Sequence, residues 1–169
     1  MNKFQQATPK GAANTNTDVW LTPSWIIEKL GPFDLDPCGH LPKGKPISPT
    51  AANYFTEKED GLKQDWFGDV FVNFPYSQSK EWLEKCKYEF KNNPRVVSII
   101  VLCFVRSETK AWQENVKSAT GINLINRRIK FLNHLGEQKG NGNAPSCLIA
   151  WGARAFEQIK KVDGIICKI

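Results

Sequence analysis

The segment Val-Val-Ser-Ile-Ile-Val-Leu-Cys-Phe, Val96 to Phe104, is a nearly unbroken apolar run rich in β-branched residues. A strand with one wet face alternates apolar and polar side chains. A continuous run instead predicts a strand covered on both faces. Such a strand belongs at the centre of a sheet sandwiched between two helical layers. The rest of the chain is read outward from it.

Ser79 to Lys91 predicts a helix, with Trp82, Leu83, Cys86 and Phe90 at the spacing of one buried stripe. Trp25 to Leu30 predicts a short helix after Thr22-Pro23-Ser24, with Ser24 as N-cap and Gly31-Pro32 as the stop. A further helix is expected from Thr109 to Lys117. Phe33 to Asp36, Asp69 to Asn73, Ile122 to Ile125, Ile129 to Leu132 and Cys147 to Trp151 read as strands. Residues 40–50 and 133–145 are rich in turn formers and read as loops. A second strand is hard to place before Asp60. This alternation of strands and helices predicts an α/β fold, a three-layer sandwich.

In such sheets ligands collect beyond the carboxyl ends of the strands. Two predicted strands end in unusual punctuation there: Asp36-Pro37-Cys38-Gly39 and Asn73-Phe74-Pro75-Tyr76. The second can do specific chemistry. The exocyclic amine of adenine is a poor nucleophile because its lone pair is delocalised into the ring. Two acceptors holding its two N–H groups localise that lone pair. The Asn73 side-chain oxygen and the Phe74 main-chain carbonyl can be those acceptors, with Tyr76 stacking on a base drawn out of the duplex. The developing ammonium becomes acidic as a methyl group arrives, so positioning and fixed dipoles suffice without a strong base. The same four letters also suit an ordinary turn.

Bulk properties narrow the classes. The 169 residues allow a real core, and a net charge of +6 suits a polyanionic partner. Five cysteines without a CxxC pair, and only two histidines, argue against a structural zinc site, and no metal is expected. The odd, scattered cysteines point to a reducing cytoplasm. No run approaches membrane-spanning length, so no membrane partner is expected. Residues 1–17 are polar and read as a flexible segment before a single domain at 18–169. Neither GxxxxGK[ST] nor GxGxxG occurs, which ranks P-loop and dinucleotide enzymes low.

Taken together, the short motifs give a more specific match. Val19-Trp20-Leu21-Thr22-Pro23, Gly31 to Gly39, Tyr54-Phe55-Thr56, Asp60-Gly61-Leu62, Trp66, Val72 to Ser77, and Trp82 with Lys85 come in that order. Arg106 to Thr109, Arg128 to Phe131 and Asn143 to Ser146 follow. From about Trp20 to Trp151 the chain resembles the phage family of DNA N6-adenine methyltransferases (Dam), reduced relatives of the larger amino-methyltransferases. The resemblance implies a reduced Rossmann-like sheet, S-adenosylmethionine as cofactor and double-stranded DNA as partner. It implies that Thr22 and Pro23 touch the methionine end of the cofactor. Asp36 would face the cofactor's ammonium group, within the turn Asp36-Pro37-Cys38-Gly39, and Gly39 would allow close backbone approach. Asp60 would bind the cofactor's adenine amine, and Asn73, Phe74, Pro75 and Tyr76 match the catalytic segment. Trp20 is a further candidate to lie over the cofactor.

The chain departs from the family pattern in three ways. Phe74 stands where the first Pro of Asn-Pro-Pro-Tyr is usual, about twenty residues separate Gly39 from Asp60, and the Gly-rich cofactor turn of larger relatives is missing. Glu57 and Glu59 are the candidates for the ribose. Phe74→Pro is expected to be tolerated or activating. Arg106 is read either as a phosphate or base contact or as half of a structural ion pair. Arg127, Arg128 and Lys130, with Lys139, read as a solvated face or as contacts to the DNA backbone. The expected function is methyl transfer to adenine N6 of a flipped base. Two alternatives are kept: a noncatalytic DNA-binding protein on a decayed methyltransferase fold, and methylation of another planar amine (cytosine N4, RNA or protein glutamine).

Overall fold

A computed structural model describes residues 19–138 and 144–169. The predicted flexible segment 1–17, and Lys139 and Asn143, lie outside the described residues. Four helices, α1 (Ser24–Leu30), α2 (Ser79–Asn92), α3 (Lys110–Val116) and α4 (Ala153–Ile159), accompany seven strands. These are β1 (Leu35–Asp36), β2 (Asn53–Tyr54), β3 (Gly68–Val72), β4 (Val96–Phe104), β5 (Gly121–Ile125), β6 (Ser146–Trp151) and β7 (Gly164–Lys168).

The strands form one mixed sheet in the order β2-β1-β3-β4-β6-β5-β7. The first four run parallel, while β6 is antiparallel to both β4 and β5, and β7 to β5. Side chains on β4 divide as strand periodicity requires. Ile99, Val101 and Cys103 pack toward α2 and α3, whereas Ile100 and Leu102 pack toward α1 and α4. The three-layer, Rossmann-like α/β fold expected from the apolar run is thus present, with β4 covered on both faces.

The chain leaves β1 for β2 on one side and returns as β3 on the other side of β1. The order of strands reverses there, opening a crevice beyond the carboxyl ends of β1 and β3. Both punctuation segments emerge at this crevice.

Three sequence readings are corrected. Residues 129–132 do not form a ladder strand. Ile129 and Phe131 are buried and Lys130 exposed, so alternation there reflects anchoring in the α1/α4 layer, and Leu132 makes only isolated bridges to Leu21 and Gln138. Ser24 is the first helical residue; Pro23 occupies the cap position of α1, and no side chain caps it. A second strand does exist before Asp60, but it is two residues long, added to β1 in parallel. The sequence reading also missed α4 and β7. Every residue of β7 is exposed along the sheet edge, so no buried face patterned it.

Candidate active site

A cleft of about 770 Å³ fills the crevice between the ends of β1 and β3. Trp20, Thr22, Asp36, Pro37, Cys38, Gly39, Asp60, Asn73 and Pro75 all line it, together with His40, Glu57, Ser77 and Trp82. A smaller pocket of about 120 Å³ lies on the other side of the Asn-Phe-Pro-Tyr segment, lined by Phe74, Tyr76, Lys80, Phe104, Arg106 and Trp112 among others. Alternate residues of the tetrapeptide therefore line different hollows, and the segment is the wall between them. Of the predicted cofactor residues Pro23 and the ribose candidate Glu59 do not line the cleft; Pro23 is buried at the start of α1.

Asp36 ends β1 and is buried. Its Oδ1 accepts from the Cys38 main-chain N–H at 3.0 Å and its Oδ2 from the Thr50 hydroxyl. Burial raises the carboxyl's pKa above its ordinary value, while the Thr50 and Cys38 hydrogen bonds pull it down. Among the described residues no cation is paired with it. A buried carboxylate without a counter-ion, at the rim of a cleft, is a ready partner for a ligand ammonium. Burial, and then the neighbouring Asp36 charge, push the Cys38 thiol well up, so it stays neutral at the cleft.

The loop carrying Asp60 is pressed against this turn. A Cβ on Gly61 would stand 1.9 Å from the Pro37 carbonyl oxygen, so only glycine permits the contact. The Trp66 indole N–H donates to the Gly61 carbonyl at 2.8 Å and holds the loop from below. Asp60 itself pairs with Lys63 at 2.8 Å, and that partner lowers its pKa. Glu57 lines the cleft, whereas Glu59 folds back onto Thr56. The space beside Gly39 is taken by the Tyr54 ring, 2.5 Å from where a Cβ would sit. The Tyr54 hydroxyl accepts from the Thr50 and Ala51 N–H groups and so holds Thr50 over Asp36.

Asn73 follows β3 directly. Its Nδ2 donates to the Trp20 carbonyl at 2.6 Å and to Thr22 Oγ1 at 3.0 Å. Its Oδ1 is buried and has no hydrogen-bond partner among the described residues. The carbonyl of Trp20 can only accept, which fixes which end of the amide is nitrogen. The remaining oxygen is an unpartnered acceptor on a residue that lines the cleft. Tyr76 stacks on Phe104 with ring centroids 4.1 Å apart, so one face of its ring is already covered. The Phe74 ring is buried and meets Tyr76 edge-on at 6.5 Å.

The basic residues follow strands whose carboxyl ends lie at the same end of the sheet as the cleft. Arg106 follows β4, borders the smaller pocket and pairs with Glu108 at 2.8 Å. Arg127, Arg128 and Lys130 follow β5, which runs in the direction of β4, but none lines either hollow. Arg127 contacts Asp163 at 3.3 Å and lies over the Trp25 ring at 5.1 Å. Exposed pairs of this kind are worth about 0–1 kcal/mol and exchange readily for a phosphate.

Thr50, Tyr54 and Trp66 carry much of this geometry without having been assigned a role from sequence. A threonine in a Pro-rich loop gives no signal that it will meet a buried carboxylate. Among the described residues no cluster of His, Cys, Asp and Glu suits a metal ion, and no helix is long and apolar enough to cross a membrane.

The model of a protein family described as DNA N-6-adenine-methyltransferase (Dam) matches residues 10–164. No curated protein matches the chain.

Proposed function

The chain belongs to the DNA N-6-adenine-methyltransferase family, and from that premise we propose that it methylates adenine N6 in double-stranded DNA, with S-adenosylmethionine as cofactor and the target base flipped out of the duplex. Residues 18–169 act as the methyltransferase domain in this reading. When bound, the cofactor supplies an electrophilic methyl group. Asp36 would face its ammonium, the Pro37–Gly39 turn would flank it, and Glu57 and Asp60 are the candidates for its ribose and adenine amine. For Asp60 this means sharing its carboxylate with Lys63 or releasing it.

Asn73 Oδ1 accepts one N–H of the target amine and the Phe74 main-chain carbonyl accepts the other. Both acceptors draw the nitrogen out of conjugation and hold it in place. Tyr76 is the residue expected to stack on the base. Arg106, Arg127, Arg128 and Lys130 contribute positive charge on the edge where the duplex approaches, as does Lys139 in sequence.

One observation carries the reading: an asparagine whose buried amide oxygen has no partner lines the same cleft as a buried carboxylate without a counter-ion. The test is transfer of a labelled methyl group to unmethylated duplex DNA, followed by nucleoside analysis. Label on N6-methyladenine is expected, with transfer by Asn73→Ala reduced at least a hundredfold and its melting temperature little changed. Label on cytosine, RNA or protein glutamine would reassign the substrate. Tight DNA binding without any stabilisation by S-adenosylhomocysteine would favour the noncatalytic alternative; true binding at a hundred times Kd adds about 2.7 kcal/mol.

A further inference from the structure

We propose that Thr22 is a positioning residue that acts through Asn73, fixing the amide so that Oδ1 alone is left to accept from the substrate amine. The inference rests on the reading above, in which Asn73 Oδ1 grips the target nitrogen.

An asparagine amide has two nearly isosteric orientations. Only one presents an acceptor; the other would aim N–H groups at an amine that is itself a donor. The two N–H groups of Asn73 are both engaged, one by the Trp20 carbonyl at 2.6 Å and one by Thr22 Oγ1 at 3.0 Å. The Trp20 carbonyl selects the orientation because it cannot donate. Thr22 holds the plane of the amide and occupies the second N–H. With both donors committed, the amide is polarised toward its oxygen, the atom left unpaired.

The clamp is braced from outside the cleft. Leu21, between the two clamping residues, exchanges both main-chain hydrogen bonds with Leu132, at 2.8 and 3.0 Å. Leu132 is steadied by Ile129 and Phe131, both buried in the α1/α4 layer. The Thr22 carbonyl also accepts from the Ser48 hydroxyl. The 129–132 stretch, which adds no strand to the sheet, thus holds the segment that aims Asn73.

Thr22 also lines the cleft, so direct cofactor contact is the rival explanation. Steady-state kinetics on duplex DNA separate the two. Thr22→Val should lower kcat at least tenfold, with KM for S-adenosylmethionine and affinity for S-adenosylhomocysteine within threefold of wild type. Thr22→Ser, which keeps the hydroxyl, should recover most of the turnover. Parallel losses of kcat and S-adenosylhomocysteine affinity would overturn positioning in favour of cofactor contact.

A second readout needs no activity. In protein labelled with 15N-asparagine, the Asn73 side-chain NH2 pair is identified by its loss in Asn73→Asp. Thr22→Val should move one of its two proton resonances toward the position of a free amide, and Thr22→Ser should not. An unmoved pair would overturn the clamp whatever the kinetics. Wild-type protein that transfers no methyl group to DNA would instead sink the assigned function, and the role of Thr22 in that reaction with it.

Discussion

Phe74 occupies a position where a rigid proline is usual in the family it resembles, and its ring has found other work. It is 2% exposed and packs in the core beneath α2 and α3. Phe74→Pro removes that ring and is expected to cost about 3 kcal/mol in urea denaturation, the scale of a large-to-small core change. This burial sets a stability cost against the expectation from sequence that the substitution is tolerated or activating; a variant as stable as wild type would remove the objection. Asp36 gives a prediction with a sign. Burial holds its carboxyl above the ordinary value of 3.8. The protonated form is therefore favoured by folding. The associated stability is complete below 3.8 and is lost as pH rises through the folded value. By pH 7 that stability has been drawn down, so Asp36→Asn should melt at or above the wild-type temperature there. The difference should vanish as pH falls toward 3.8. Its affinity for S-adenosylhomocysteine should drop at least tenfold by calorimetry, because the ammonium loses its counter-charge. A variant that melts lower at pH 7 would show that ionised Asp36 supports the fold. Asp36 and Asn73 were legible as candidates because polar residues at strand ends with a proline one or two positions on are unusual. Their partners Thr50, Trp20 and Thr22 could not be paired with them from sequence, since each bond joins segments far apart in the chain.

At the scale of elements, α2 shows what hydrophobic periodicity leaves out. Its stripe of Trp82, Leu83 and Cys86 was readable, but Glu89 is buried on the same helix. Glu89 pairs with Lys85 at 2.6 Å and accepts from the Asn93 side chain at 2.6 Å, tying the end of α2 to the approach to β4. Glu89→Ala leaves the half-buried ammonium of Lys85 unpaired and should cost about 3 kcal/mol. Because this network lies at the edge opposite the cleft, S-adenosylhomocysteine affinity should stay within threefold of wild type in the same protein. A large loss of affinity would mean that α2 transmits strain to Trp82 in the cleft wall. The strongest strand, β4, was read correctly to its ends because both faces are apolar. β7 escaped because neither face is buried, and 129–132 misled because residues can alternate in burial without pairing in a ladder.

The whole molecule is a cation, with a net charge of +6, and its basic residues after β4 and β5 lie at the end of the sheet that carries the cleft. Affinity for duplex DNA should fall linearly with the logarithm of salt concentration. Lys130 is exposed, and Lys130→Gln should reduce the salt slope by about one while leaving cofactor binding unchanged. An unchanged slope would remove Lys130 from the DNA path. The order of strands was beyond the sequence, since it depends on which edges pair. The crevice it creates is what unites two motifs that looked independent on the page.

The bridge between Leu21 and Leu132 has a temporal meaning. A polypeptide growing out of the ribosome possesses Trp20, Thr22 and Asn73 early, yet it lacks the strut that braces them until Leu132 has been made. In the proposed reading the aimed amide oxygen therefore waits on residue 132, and fragments released before that point carry Trp20, Thr22 and Asn73 without the brace.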